Sequence, residues 1–136
     1  GASTSTTLTE RLTTLPQNTL GAEFFTGTIT PQSTDNHLFF IVNMTCMGAG
    51  DGRQLYVALF RDSVSDALAS SSNFAQSTDP VPLHFTHSMA APSTSEQVYK
   101  VRAGAGTGNF HINQRHTEAF HGGSASSGLI IIEFTP

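Results

Sequence analysis

The chain is divided into short segments in which apolar and polar residues alternate, separated by clusters of turn-forming residues. These clusters, such as PQSTDN, GAGDG and GAGTG, recur about every 8–15 residues. Alternation with a period of two is typical of β-strands, and Gly, Pro, Asn, Asp and Ser favour the turns that end them. The pattern predicts eight strands and no helix: 22–30, 37–47, 53–62, 63–70, 81–89, 96–103, 109–115 and 127–134.

Two of these segments, the second and the last, are apolar on both faces. The second places Phe39 and Ile41 opposite the apolar series 38, 40, 42, 44 and 46, and the last places Leu129 and Ile131 opposite 130, 132 and 134. A strand with one face in water would carry polar residues there, so a neighbouring segment or another subunit must cover the second face. The pattern predicts an all-β, antiparallel, eight-stranded jelly-roll sandwich within an oligomer. Residues 1–20, which are rich in Ser and Thr, form a lead-in to a head domain at 21–136.

Composition excludes several classes of function. A chain of 136 residues with net charge −4 fits one domain and lacks the broad basic surface that nucleic-acid binding requires. No apolar run approaches the roughly 18 residues of a membrane span, so membrane insertion is not expected. Cys46 is the single cysteine, which excludes an intrachain disulfide, and its apolar surroundings favour a buried structural role.

The histidines do not form a metal-binding pattern, although there are six of them. His84 and His87 are three residues apart and therefore point to opposite faces of a strand, and His111 and His116 also differ in parity. The serines lack the Gly-x-Ser-x-Gly motif of a nucleophile elbow, and no acidic pair has a supporting pattern. We therefore expect no metal, no cofactor and no enzymatic activity. One alternative stays open: three copies of one histidine, brought together on a threefold axis of the oligomer, could bind an ion.

Four stretches carry a resemblance to a known family: TITPQSTDNHLFFIVNMTC, LYVALFRDS, VYKVRAGAGTGNFHINQR and SGLIIIEF. Together they resemble a C-terminal domain common in bacteriophage tail fibres, over roughly residues 26–134. The last strand also resembles the trimeric jelly rolls of the tumour-necrosis-factor and complement-head type. The loop at 116–127 and the segment at 63–82 differ from the family pattern, so the resemblance does not identify the receptor.

The resemblance implies a homotrimeric head at the tip of a tail fibre on the virion. Its function would be host attachment through a cell-surface glycan or protein, with a glycan favoured. The alternative is a trimeric head of the complement or tumour-necrosis-factor type, structural or ligand-binding, that does not come from a phage.

Strand direction predicts which loops would contact the host. If all eight strands alternate in direction, the loops near 31–36, 61–64, 90–96 and 116–126 lie at one end, and both termini lie at the other. Since the N-terminus must meet the fibre shaft, the first set is distal. In FHINQRH (110–116), Phe110 and Ile112 face inward as in an ordinary strand, so the site is expected where that strand ends. The predicted receptor-binding residues are Asp35, Asn36, His37, Arg115, His116, Glu118, Phe120 and His121. Phe120 either offers an exposed stacking face or plugs its own loop.

Overall fold

The computed structural model describes residues 2–5, 14–48, 53–76, 79–106, 108–115 and 118–136. Within these ranges the chain forms antiparallel strands and one short 3-10 turn at Phe120–Gly123. The strands are β1 (Ala2–Ser5), β2 (Ala22–Ile29), β3 (His37–Gly48), β4 (Arg53–Arg61), β5 (Ala69–Ala75), β6 (Val81–Ala90), β7 (Gln97–Ala105), β8 (Asn109–Ile112), β9 (Gln114–Arg115), β10 (Glu118–Ala119) and β11 (Gly128–Phe134). The predicted all-β, antiparallel class is therefore confirmed.

The first sheet is built around the long strand β3. One side of β3 pairs with β6 from His37 to Cys46. Its other side pairs with β11 over residues 37–43 and with β8 over residues 46–48, and β1 adds to the outer edge of β8. Strands β8 and β11 thus share one edge of β3, each covering a different part of its length.

The second sheet has the strand order β2-β7-β4-β5. It packs on the first sheet through one core of apolar residues, which come from the inward faces of β3, β4, β6, β7 and β8. Phe40 and Tyr99 meet across this core with ring centroids 4.6 Å apart. The buried Tyr99 hydroxyl donates a hydrogen bond to Oε1 of Gln97 at 2.8 Å, which satisfies a polar group that burial would otherwise leave unpaired. The result is a β-sandwich.

The outer face of β4 is covered by the chain itself. Tyr56, Ala58 and Phe60 point away from the inter-sheet core, yet all three are buried. Residues 14–20 cross this face and are fixed to the loop after β4, where the Asn18 amide donates to the carbonyl of Ser65 at 2.8 Å. The apolar character of both faces of LYVALF is thus explained by a covering segment from the same chain.

Gly21 makes the turn between this covering segment and β2. Its backbone is left-handed, with φ +60°, and a Cβ at this position would collide with the carbonyl oxygen of Ala103. Arg102 fixes the same turn, because its Nε donates to the Leu20 carbonyl at 2.8 Å and its Nη2 donates to the Gly21 carbonyl at 2.7 Å. Glycine is required here for both the backbone conformation and the close approach.

The strand predicted at 63–70 is wrong. The chain turns back at 62–68, where the Ala67 amide donates to the carbonyl of Pro16, and the strand follows at Ala69–Ala75. In SVSDALAS, Ala67 is buried and Leu68 packs against the core, but Val64 is exposed. ASSSNFA is mostly small and polar and gives little alternation signal. This strand is held mainly by its backbone pairing with β4.

The strand predicted at 109–115 ends earlier, and the direction predicted for the last strand is wrong. Asn113 has φ 58°, which breaks the strand after Ile112. Because β8 and β11 both run antiparallel to β3, they run in the same direction, and residues 113–127 leave and return at one sheet edge without reversing the chain. Phe134 therefore lies beside His37, at the opposite end from the one predicted.

Candidate functional site

The loop at 30–36 is tied to the last strand through Glu133. Oε1 of Glu133 accepts hydrogen bonds from Nδ2 of Asn36 at 2.7 Å and from the backbone amide of Gln32 at 2.8 Å. The Asn36 side chain and then the Gln32 amide lower the pKa of Glu133, because both donate to the ionised form. One carboxylate thus holds this loop closed against β11.

Three of the predicted receptor-binding residues lie at this end of the sandwich. Asp35 is exposed at the tip of the turn. Asn36 also accepts the Ala91 amide at its carbonyl oxygen, so it joins two loops in addition to binding Glu133. The half-buried ring of His37 lies 5.7 Å from the ring of Phe134, at a tilted angle. Asp35 is therefore available to a partner, whereas Asn36 has a structural role.

The excursion at 113–127 is anchored to the middle of the first sheet. Asn113 donates its amide to the Thr45 carbonyl at 2.9 Å. Ser127 accepts the Thr45 amide at 3.0 Å and donates its own hydroxyl to Oδ1 of Asn113 at 2.7 Å. The two ends of the excursion are thus joined to each other and to one position on β3.

The excursion itself is a small hairpin followed by a tight turn. Arg115 in β9 pairs with Glu118 in β10, and the Glu118 side chain is exposed. Phe120 is 9% exposed, so its ring plugs its own loop, and the alternative prediction of an exposed stacking face is wrong. His121 is exposed in a left-handed conformation with φ 51°. The predicted site residue His116 lies outside the described residues.

The structure divides the predicted residues into two groups. The first, residues 35–37, lies where β3 begins, and the described members of the second, Arg115 and residues 118–121, belong to the excursion attached at Thr45. Eight residues of extended strand separate His37 from Thr45, which corresponds to about 26 Å. Within one chain the two groups therefore form separate surfaces, whereas the sequence predicted both at the same end of the sandwich.

A strip of apolar side chains is exposed on the outer face of the first sheet. Ile130, Ile132 and Phe134 are 53%, 43% and 39% exposed. Across the β3–β11 pairing they lie next to Ile41, Phe39 and His37, respectively. In contrast to the outer face of β4, no described segment of the chain covers this strip. We call these residues the apolar strip.

Sequence reasoning missed Glu133 as the residue that closes the end loop. Its one visible signal is its position as the only charged residue in the otherwise apolar stretch SGLIIIEF. Sequence reasoning also missed the surface formed where residues 14–20 cross the second sheet. The signal there was the second apolar face of LYVALF, which requires a cover.

Reactive side chains are few in the part of the chain that the structure describes. Cys46 is fully buried, and burial raises the pKa of its thiol, so the prediction of a structural cysteine is confirmed. His84 lies opposite Asn43 on β3, and His87 lies opposite Phe40. Because positions 40 and 43 of a strand face opposite sides of the sheet, the two rings also point to opposite faces, which confirms the prediction. Over the described ranges, no three His, Cys, Asp or Glu side chains are grouped for a metal ion. The same ranges contain no helix that is long and apolar enough to cross a membrane.

Comparison with known proteins gives no family and no relative. No protein-family model matches the chain, and no curated protein matches it. The strand order and the surfaces described above are therefore the basis for assigning a function.

Proposed function

We propose that the chain is the trimeric, jelly-roll head of a bacteriophage tail fibre, which attaches the virion to a host-cell receptor, with a glycan as the favoured class. The observation that carries the proposal is the apolar strip, which no described segment covers, on a sandwich in which the chain itself covers the outer face of β4. A head that acts alone has no need for such a strip. A head that assembles with copies of itself requires one.

The order of the strands supports the jelly-roll topology. Between β2 and β8 the chain crosses from one sheet to the other at every connection except the one from β4 to β5. This gives β2-β7-β4-β5 in one sheet and β6-β3 with the β11/β8 edge in the other. Antiparallel strands that alternate between two packed sheets in this way are typical of a jelly roll.

The exposed apolar strip supports the homotrimer that the tail-fibre resemblance implies. Ile130, Ile132 and Phe134 would pack against the same residues of two neighbouring copies around a threefold axis, in a closed arrangement. Burial of exposed isoleucine and phenylalanine side chains stabilises such an interface by about 25 cal/mol per Å² of apolar surface.

The exposed polar side chains of the loop at 30–36 and of the excursion fit a role in receptor attachment. Asp35 is exposed at one surface, and Glu118 and His121 are exposed at the other. Their carboxylates and imidazole can exchange hydrogen bonds with the hydroxyl groups of a glycan. The buried Phe120 contributes by keeping the excursion in shape.

Two measurements test the proposal. The mass of the protein in solution at micromolar concentration should be that of three chains, and a monomer at that concentration would contradict the architecture. Labelled protein should bind host-cell envelopes, and the Glu118→Ala/His121→Ala variant should bind less while keeping the trimeric mass. The matched control is Gln76→Ala, an exposed change directly after β5, at the opposite sheet edge from β11 and outside the loops predicted to face the host. Unchanged binding by the double variant would remove the excursion from the site.

A further inference from the structure

The covering segment at 14–20 does not fill the space above the second sheet but leaves a groove beside it. The groove has a volume of about 510 Å³ and lies between this segment and the outer faces of β4, β5 and β7. Such a volume falls within the range of roughly 300–1,000 Å³ that small-molecule sites occupy. We propose that this groove is a binding site for a neutral or acidic saccharide unit.

The floor of the groove is open because small residues surround one large ring. Tyr56 on β4 pairs with Ser72 on β5 and with Gly104 on β7. One step along, Ala58 pairs with Ser70 on β5. Large side chains at these small positions would fill the sheet surface, so the residue sizes themselves create the depression.

The polar groups of the lining match those of a sugar. Ser70, Ser72 and Tyr56 carry hydroxyls, Gln54 an amide and Arg102 a guanidinium. Hydroxyls and amides both donate and accept hydrogen bonds, as the hydroxyls of a saccharide do. Among the described residues that line the groove, none is acidic, and Arg102 supplies a positive charge. The lining therefore accepts a neutral sugar and favours an acidic one over a cation.

Two exposed apolar side chains, one in the groove lining and one next to it, can add a stacking surface. Phe74, which is 54% exposed, pairs across the strands with the lining residue Gln54. Leu15, which is 53% exposed, belongs to the covering segment on the opposite wall. An exposed ring beside a hydroxyl-lined depression can pack against the apolar face of a sugar ring while its hydroxyls point into the groove.

The groove stays accessible when the protein assembles. It lies on the outer face of the second sheet, whereas the apolar strip lies on the outer face of the first sheet, on the other side of the core. The inference does not depend on the phage origin, and it concerns a different surface from residues 35–37 and from the described part of the excursion.

Nuclear magnetic resonance of the isotopically labelled full chain tests the site directly. The probes are methyl β-glucoside, N-acetylglucosamine and galacturonic acid, each added at up to tens of millimolar. At least one should shift the amide signals of Ala58, Ser72 and Gly104 with saturation, at an affinity near the millimolar range. No saturable shift of these signals with any of the three probes would overturn the proposal.

Two variants and one control sharpen the result. Ser72→Tyr fills the floor and should weaken the binding constant by about tenfold or more, and Phe74→Ala removes the stacking ring and should weaken it roughly three- to tenfold. Thr28→Tyr, an exposed change on the outer face of β2 outside the groove lining, should leave it unchanged. Equal affinities in all three variants would overturn the site. Shifts confined to residues 35–37 and 118–121 would also overturn it, while supporting those residues as the attachment surface.

Discussion

The outer faces of both sheets carry apolar side chains, but the described part of the chain covers these side chains on only one of the two sheets. On the second sheet, Tyr56, Ala58 and Phe60 are apolar and outward-facing, and residues 14–20 of the same chain cover them. On the first sheet, Ile130, Ile132 and Phe134 are equally apolar and outward-facing, and they remain exposed. Apolar residues on a second strand face thus do not tell whether a segment of the same chain covers them.

The comparison predicts where a single change affects folding and where it affects assembly. A residue covered by its own chain contributes to the free energy of unfolding of one copy. Under the proposed assembly, a residue of the apolar strip would contribute only when another copy is present, so its effect would depend on protein concentration.

Replacing Ile130 and Ile132 together by Asp should abolish assembly. Two carboxylates per copy would be buried at the proposed threefold contact without partners, which costs several kcal/mol and gives a loss of well over a hundredfold in association. Analytical ultracentrifugation should show only single chains. Thr28→Asp, an exposed strand position on the second sheet, is the matched control and should assemble normally. Trimers of the double variant with wild-type stability would exclude the strip as the interface.

Replacing Phe60 by Ala should destabilise each copy by about 3–5 kcal/mol, because the ring is 1% exposed under the covering segment and its loss leaves a cavity. The matched change Ile132→Ala, at an exposed position, should cost a single unassembled copy less than about 1 kcal/mol. Chemical unfolding at the lowest workable protein concentration measures both. Similar losses of unfolding free energy in the two variants would mean that the outer faces of the two sheets contribute equally to the stability of a single copy.

The contrast also explains how much of the fold the sequence could predict. Strands such as β3 and β7 have a strongly apolar inner face, and the alternation predicted them to within about two residues. Strand β5 was missed because its inward positions hold Ala69, Ser71 and Asn73, which carry little hydrophobic signal. The stretch SVSDALAS was predicted to be a strand because of its Val, Ala and Leu, but most of it forms the turn before β5.

The candidate site was less predictable because it depends on contacts between distant residues. Asn36 and Glu133 are 97 positions apart, and no local pattern links them. The separation of residues 35–37 from the excursion follows from the left-handed Asn113 and from the shared direction of β8 and β11. A local reading that assumes regular alternation of strands cannot detect either feature.

Replacing Gly21 by Ala should loosen the cover of the second sheet and cost about 2 kcal/mol or more. The left-handed backbone disfavours a Cβ, and the nearby Ala103 carbonyl leaves no space for one. Proteolysis should then cut within residues 14–20 faster than in the wild type. The control is Gly128→Ala, where an added Cβ meets nothing within 4 Å and φ is ordinary, so stability should hardly change. Equal protection of 14–20 in both variants would mean that the turn does not hold the cover.

The smallest expected effect concerns the end of the first sheet, where the contact between Asn36 and Glu133 is sensitive to pH. Because the hydrogen bonds lower the pKa of Glu133 in the folded state, the folded chain binds a proton at this carboxylate less readily than the unfolded chain does. The stabilisation is therefore complete above the ordinary carboxyl pKa of 4.5 and is lost as the pH falls through the lowered value. Glu133→Gln should be slightly less stable than the wild type at pH 7, and the difference should diminish in acid.

Thermal unfolding at a series of pH values between about 7 and 2 measures this difference against the carboxyl titration range. Asn36→Ala is the informative partner, because removing the first of the two donors should move the midpoint of the pH effect back toward the ordinary carboxyl pKa while Glu133 is still present. If the wild type and Glu133→Gln keep a constant difference down to pH 2, the carboxylate does not close the loop through its charge. In that case the backbone contacts of Asn36 with Ser33 and Ala91 would be what holds the loop, and the contact with the last strand would be incidental.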